Sequence, residues 1–283
     1  MDNNLFIAQQ GTITNEYLIK QVREFVFNNF QKQIKNRETF HKYVSNMPNT
    51  FQKMVTDIKH SNEIISKICE QFKYNECDIR FLDNIDELYI SHYNIDNGGD
   101  QGLFDKHYDG VLKFVETGTI IRALVYVNSQ DNFVVHFIDS KKDINFKTNE
   151  FALLDFNREY HYVDGKYDKN IKVEDDRIIL KLHYLVCPHC SESYINMLSS
   201  TNKLFSFDIT RTAMDYSKNP KTVSHKIIGF FCNFFRVLNN ISVYLSLLIG
   251  LLLSFVIFAL IYAFLKFLTI SFSKRKQRRT QRA

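Results

Sequence analysis

Between residues 79 and 186 the chain passes through five short apolar segments of strand-like composition with no helical period between them, and this stretch limits the fold more than any other. The segments are Leu88–Asn94, Thr119–Asn128, Phe133–Ile138, Glu150–Phe156 and Arg177–Val186, rich in Val, Ile, Tyr and Phe. Turn-forming clusters punctuate them at Asn97-Gly98-Gly99-Asp100, Ser129–Asn132, Asp139–Asp143 and Asp164-Gly165. A parallel sheet needs helical crossovers between its strands. Without them the expectation is an antiparallel sandwich or jelly roll.

Upstream the apolar period is helical. Tyr17, Leu18, Val22, Phe25, Val26 and Phe30 recur at helical spacing, and so do Phe51, Met54, Val55, Ile58, Ile64, Ile65, Ile68 and Phe72, with a break at Pro48-Asn49. Helices first and strands after predict an α+β fold in which an N-terminal helical region, 1–78, covers one face of a jelly-roll core, 79–190.

The C-terminal end is of another kind. Val237 to Leu265 runs 29 residues without a charge. About 20 such residues cross a bilayer core, so 241–265 is predicted to be a transmembrane helix. Before it, 191–240 is read as linker and interfacial segment, with Ile227–Arg236 aromatic and flanked by basic residues; after it comes a basic tail, 266–283. Residues 236–283 hold eight Lys or Arg and no acid, which leaves 28 basic against 31 acidic residues in 1–235, a net charge of about −3. A nucleic-acid partner is therefore not expected.

The N-terminus lacks the apolar stretch of a signal peptide, so the span is expected to act as a single-pass tail anchor with the preceding domain in the cytosol. The six basic residues after Phe272 pull the opposite way by the positive-inside rule. Five cysteines, an odd number, argue against a disulfide framework and for a reducing compartment, and Cys187-x-x-Cys190 reads as a plain thiol pair.

The candidate chemistry starts at Phe104-Asp105-Lys106-His107-Tyr108-Asp109-Gly110. Residues i and i+2 of a strand share a face, so His107 and Asp109 can reach one metal ion. A third ligand is available at His161, 52 residues beyond Asp109, at the end of another apolar run. Two imidazoles and one carboxylate on one side of an ion, with the other positions open, are the ligand set of non-haem Fe(II) oxygenases. His92, His136 and His183 are read as ordinary satisfied residues.

Taken in order, Tyr93-Asn94, His107-x-Asp109, Leu124-Val125-Tyr126-Val127-Asn128, Phe151–Phe156 leading to His161-x-Val163, and Arg177-Ile178-Ile179-Leu180-Lys181-Leu182 resemble the Fe(II)/2-oxoglutarate-dependent dioxygenases, in their prolyl-hydroxylase-like branch. The resemblance covers about 85–186. It implies a double-stranded β-helix in which His107, Asp109 and His161 hold Fe(II). It also implies that Arg177 binds the distal carboxylate of the 2-oxoglutarate cosubstrate with Tyr126 beside it, Lys181 being the rival cation. A planar guanidinium suits a carboxylate because it offers two parallel donors. The structural alternative for Arg177 is a pair with Asp175 or Asp176.

The reading is thus a membrane-anchored dioxygenase using O₂, with ascorbate as an optional reductant, that hydroxylates a protein or peptide side chain such as proline or lysine. Two others stand beside it: a membrane-tethered jelly roll kept as a binding scaffold without activity, and a cupin-like metal enzyme that uses no 2-oxoglutarate.

Overall fold

The computed structural model describes residues 6–35, 40–72, 78–91, 106–110, 118–128, 133–165, 177–209, 221–241, 248–256, 258–259 and 262. The chain divides into two units, Met1–Asp208 and Ile209–Ala283.

The first unit is built on two antiparallel sheets. The larger has the order β1-β8-β5-β10-β4-β2, with β3 pairing the far end of β10: β1 is Gln9–Thr12, β2 Phe40–Tyr43, β3 Ile79–Phe81, β4 Glu87–Ser91, β5 Thr119–Asn128, β8 Glu150–Asp155 and β10 Arg177–Val186. The smaller has the order β7-β6-β9, from Lys142–Asn145, Phe133–Phe137 and His161–Gly165. The alternation along β5 and β10 places their side chains in different cores. Ile121, Ala123, Val125 and Val127 of β5 and Ile178, Leu180, Leu182 and Tyr184 of β10 enter a core shared with helices α1 (Glu16–Asn29), α2 (Gln31–Lys35), α3 (Asn49–Lys59) and α4 (Asn62–Cys69). The intervening Leu124, Tyr126 and Ile179 face the smaller sheet, packing with Phe133, Val135, Phe137, Ile144 and Val163. This second, inner face positions the site.

The α+β expectation holds in its coarse form, a mixture of helices and antiparallel sheet with the N-terminal helices on one face. The boundaries differ. Residues 1–78 are not purely helical, because β1 pairs with β8 and β2 with β4, both as edge strands. In α1 the buried side chains are Ile19, Val22 and Val26, while Tyr17 lies in solvent. Asn15 starts that helix, its side-chain oxygen accepting from the Leu18 amide at 3.1 Å. Pro48 caps the start of α3, after the 3₁₀ turn Val44–Asn46, so the break falls where the sequence placed it.

The first part of the expected linker, residues 192–209, is folded onto the first unit's core. Helix α5, Glu192–Asn202, and a π-helical stretch to Ile209 bury Ile195, Leu198 and Phe207 against Leu82, Ile85, Ile120 and Phe156. The thiol reading is also corrected: Cys187 and Cys190 are disulfide-bonded, since the turn at Pro188-His189 brings their Cα atoms to 5.6 Å, and Cys69 is disulfide-bonded as well.

In the second unit, helix α6, Val223–Ile241, exposes Ile227, Ile228, Phe230, Phe231 and Phe234. Among the described residues no helix is long and apolar enough to cross a membrane. Much of the expected span 241–265, and the tail from 266, lie outside the described residues, as do His92, Tyr93-Asn94 and the turns at 97–100 and 129–132.

Candidate metal and anion site

His107 and His161 face each other across a two-residue antiparallel bridge. The His107 amide donates to the His161 carbonyl at 2.9 Å, and the His161 amide to the His107 carbonyl at 3.0 Å. Directly opposed residues of such a pair project to the same side. Asp109, two residues after His107, joins them. One ligand atom from each of the three lies within 4.8 Å of the others. Asp109 Oδ1 is 3.5 Å from His107 Nε2, and Oδ2 is 3.5 Å from His161 Nε2. Gly110 lets this segment pass close to the turn that follows β8: a Cβ there would lie 1.9 Å from Asn157 Oδ1 and 2.8 Å from the Phe156 ring.

The protonation states suit a cation. Burial pushes the His161 imidazole down to about 4, against the pull of Asp109, so it is neutral at pH 7. Its Nδ1 faces the Glu159 carbonyl at 3.2 Å, which assigns the proton to Nδ1 and leaves the Nε2 lone pair for a ligand. Burial would raise the Asp109 carboxyl, but Arg122 and the two imidazoles outweigh it and hold it well below the usual range. His107 is 38% exposed, so the trio opens to solvent on one side. Two nitrogen donors and one anionic oxygen at this spacing fit an Fe(II) ion with positions left for other ligands.

Sequence reasoning missed Arg122. Its Nη1 forms an ion pair with Asp109 Oδ2, and its Nε donates to His183 Nε2 at 2.9 Å. The signal was present, as a lone charge within the apolar run Thr119–Asn128, four residues before Tyr126 and therefore on the same face. His183 and His136 are partnered, as expected. His183 is buried against Asp86, and His136 sits 2.7 Å from Asp143.

On the same inner face Arg177 and Tyr126 form a buried pair. Arg177 is 4% exposed, and its Nη2 donates to the Tyr126 hydroxyl at 2.9 Å. The guanidinium is set against the Tyr126 and Phe133 rings, 5.3 and 5.6 Å from their centroids, and Tyr126 stacks on Phe146 at 4.4 Å. Its Nε is buried without a hydrogen-bond partner among the described residues. Asp175 and Asp176 lie outside these. A buried guanidinium with a donor to spare calls for an anion. Lys181 occupies the rung of β10 opposite Leu124 and Glu87, with its Nζ 4.3 Å over the Tyr89 ring, so the Tyr126-backed position belongs to Arg177.

No family model and no curated protein matches the chain. Among solved structures it is similar to a viral collagen prolyl hydroxylase from Paramecium bursaria Chlorella virus-1 in its 2-oxoglutarate complex, with a TM-score of 0.40 and 11% identity, over 64% of this chain and 97% of that one. It is also similar to a Pseudomonas putida prolyl-4-hydroxylase (0.39, 8%, 65% and 93%) and to iron-bound HygX of Streptomyces hygroscopicus (0.40, 10%, 63% and 81%). Values this low leave the functional reading to the site itself.

Proposed function

We propose that this chain is an Fe(II)- and 2-oxoglutarate-dependent dioxygenase that hydroxylates a protein or peptide side chain, with a double-stranded β-helix as its core. The observation that carries the reading is the presence of a two-histidine and one-carboxylate cluster and of a buried arginine with an unspent donor. His107, Asp109 and His161 would hold the metal. Arg177 and Tyr126 would hold the distal carboxylate of the cosubstrate. When bound, Fe(II) supplies the oxidative decarboxylation of 2-oxoglutarate by O₂ and the oxidation of an unactivated C–H bond.

The protein's own part is positioning. The Tyr126 hydroxyl accepts from Arg177 and keeps its proton for a ligand oxygen, while Phe133 and Phe146 keep water from the pair. The Nδ1 contact of His161 fixes which nitrogen faces the ion. Proline and lysine are named as targets by the sequence resemblance alone, and ascorbate is an optional reductant.

Anaerobic Fe(II) titration followed by measurement of succinate from 2-oxoglutarate tests this, with wild type against His107→Ala. Metal uptake with turnover lost in the variant is expected. No metal uptake favours the inactive scaffold, and turnover of another substrate without 2-oxoglutarate favours the cupin-like enzyme.

Attachment to a membrane through 241–265 is part of the same proposal, supported by the uncharged run and by the aromatic face of α6. The bonded cysteines favour an oxidising side for the domain over the cytosol. Protease protection of residues 1–208 in sealed vesicles is the corresponding measurement.

A further inference from the structure

Arg122 does more than neutralise a carboxylate, because it is itself held by two rings and a histidine. Its guanidinium lies 4.5 Å from the centroid of the Phe156 ring and 5.5 Å from that of Phe207. Its Nε donates to His183 Nε2. His183 in turn meets Asp86 twice, its amide donating to Oδ1 at 2.8 Å and its Nδ1 lying 3.3 Å from the same oxygen. Asp86 Oδ2 receives Lys59 Nζ at 2.6 Å. The chain Asp109–Arg122–His183–Asp86–Lys59 therefore runs from the candidate metal ligand to helix α3, with each side chain after Asp109 almost wholly buried.

We propose that Arg122 is the positioning residue that confines Asp109 to ligation through one oxygen, by engaging Oδ2 in an ion pair and fixing the rotation of the carboxylate. This rests on the iron-site reading above. The chemical need is a matter of counting positions. A 2-oxo acid chelates through two adjacent positions of an octahedral ion and O₂ needs a third, so the protein must fill three and no more. A carboxylate free to turn can bind through both oxygens and take a fourth. Two imidazoles cannot prevent that rotation, but a charge-assisted hydrogen bond to Oδ2 from a cation without room to move does so.

The test uses the full-length protein loaded with Co(II), and compares wild type, Arg122→Met, Arg122→Lys and His183→Leu. Three quantities are read: Co(II) stoichiometry, the visible Co(II) spectrum, and 2-oxoglutarate affinity by titration of the Co(II) form. Arg122→Met is expected to bind one Co(II) per chain with an altered spectrum, and to bind 2-oxoglutarate about 10–100-fold more weakly, the size of effect that outer-shell partners have on metal affinity or activity. Arg122→Lys, which keeps the cation, stays nearer wild type. His183→Leu loosens Arg122 without touching Asp109 and shifts the affinity in the same direction by less, which keeps the inference testable if Arg122→Met does not fold.

Unchanged spectrum and 2-oxoglutarate affinity in the folded variants, with a wild type that binds both ligands, overturns this inference alone. Loss of Co(II) and 2-oxoglutarate in equal proportion also overturns it, since that is what a purely structural arginine would give. A wild type that takes up no Co(II) overturns the iron-site reading and this inference together.

Discussion

Replacing Lys59 by Met should destabilise the first unit strongly and in a pH-dependent way. Lys59 is 1% exposed, and its ammonium contacts Asp86, 3% exposed, at 2.6 Å and Asp83, 77% exposed, at 2.7 Å. Asp83 can return to water when the cation is lost, so it contributes little. Asp86 cannot. Removing one partner of a buried pair leaves the other charge uncompensated, at a cost of roughly 3–5 kcal/mol. At about 2–4 °C per kcal/mol for a unit of this size, the melting temperature should fall by roughly 6–20 °C.

The pH dependence has a definite sign. Burial raises the Asp86 carboxyl in the wild type, and Lys59 opposes that rise. Without Lys59 the folded value climbs further, so the native variant binds its proton more tightly than the unfolded chain does. The deficit is then full above that raised value and shrinks as pH falls through it toward the wild type's own, less raised, value. Urea unfolding of wild type and Lys59→Met at pH 7 and at pH 5 measures this, with Lys59→Met/Asp86→Asn as the rescue. A deficit under about 1 kcal/mol at pH 7 refutes the argument, and so does a deficit independent of pH, or a double variant no better than the single one.

Arg177→Gln should weaken 2-oxoglutarate binding by about 10–100-fold and Tyr126→Phe by about 3–10-fold, from typical charged and neutral hydrogen-bond energies; calorimetric titration of the metal-loaded protein checks both. Gly110→Ala should abolish metal uptake while leaving most of the fold, because the added Cβ collides with Asn157 and Phe156 and displaces Asp109; circular dichroism and metal analysis of one sample separate the two effects. Peptide mapping without reductant should recover Cys187 and Cys190 in one cross-linked fragment, whereas quantitative alkylation of both in the folded protein would refute the disulfide.

The parts of the fold and site that were legible in the sequence are those whose signal is local. His107 and Asp109 stand two apart, and strands β5, β8 and β10 announce themselves by continuous apolar runs because both their faces are buried. Edge strands carry no such signal: β1 and β2 are four residues each and largely polar or half-buried, so only their pairing reveals them. Helix α5 was hidden by its own composition, since Ser, Glu and Asn surround the Ile195 and Leu198 that dock it. Arg122 was visible as a residue but not as a partner. Its meaning depends on Asp109 and His183, which neighbour it in space and not in sequence.

The bridge between His107 and His161 has a consequence for anyone wishing to alter the site. Its two hydrogen bonds join backbone to backbone, and so do not depend on which side chains the positions carry. The spacing of the two positions is thus a property of the backbone, set before any side chain is chosen. Cysteine or carboxylate in place of either imidazole would keep the same backbone spacing but draw the ligand atom back toward the sheet, so re-liganding toward other metals would start from a fixed frame and need only the reach of the side chains adjusted.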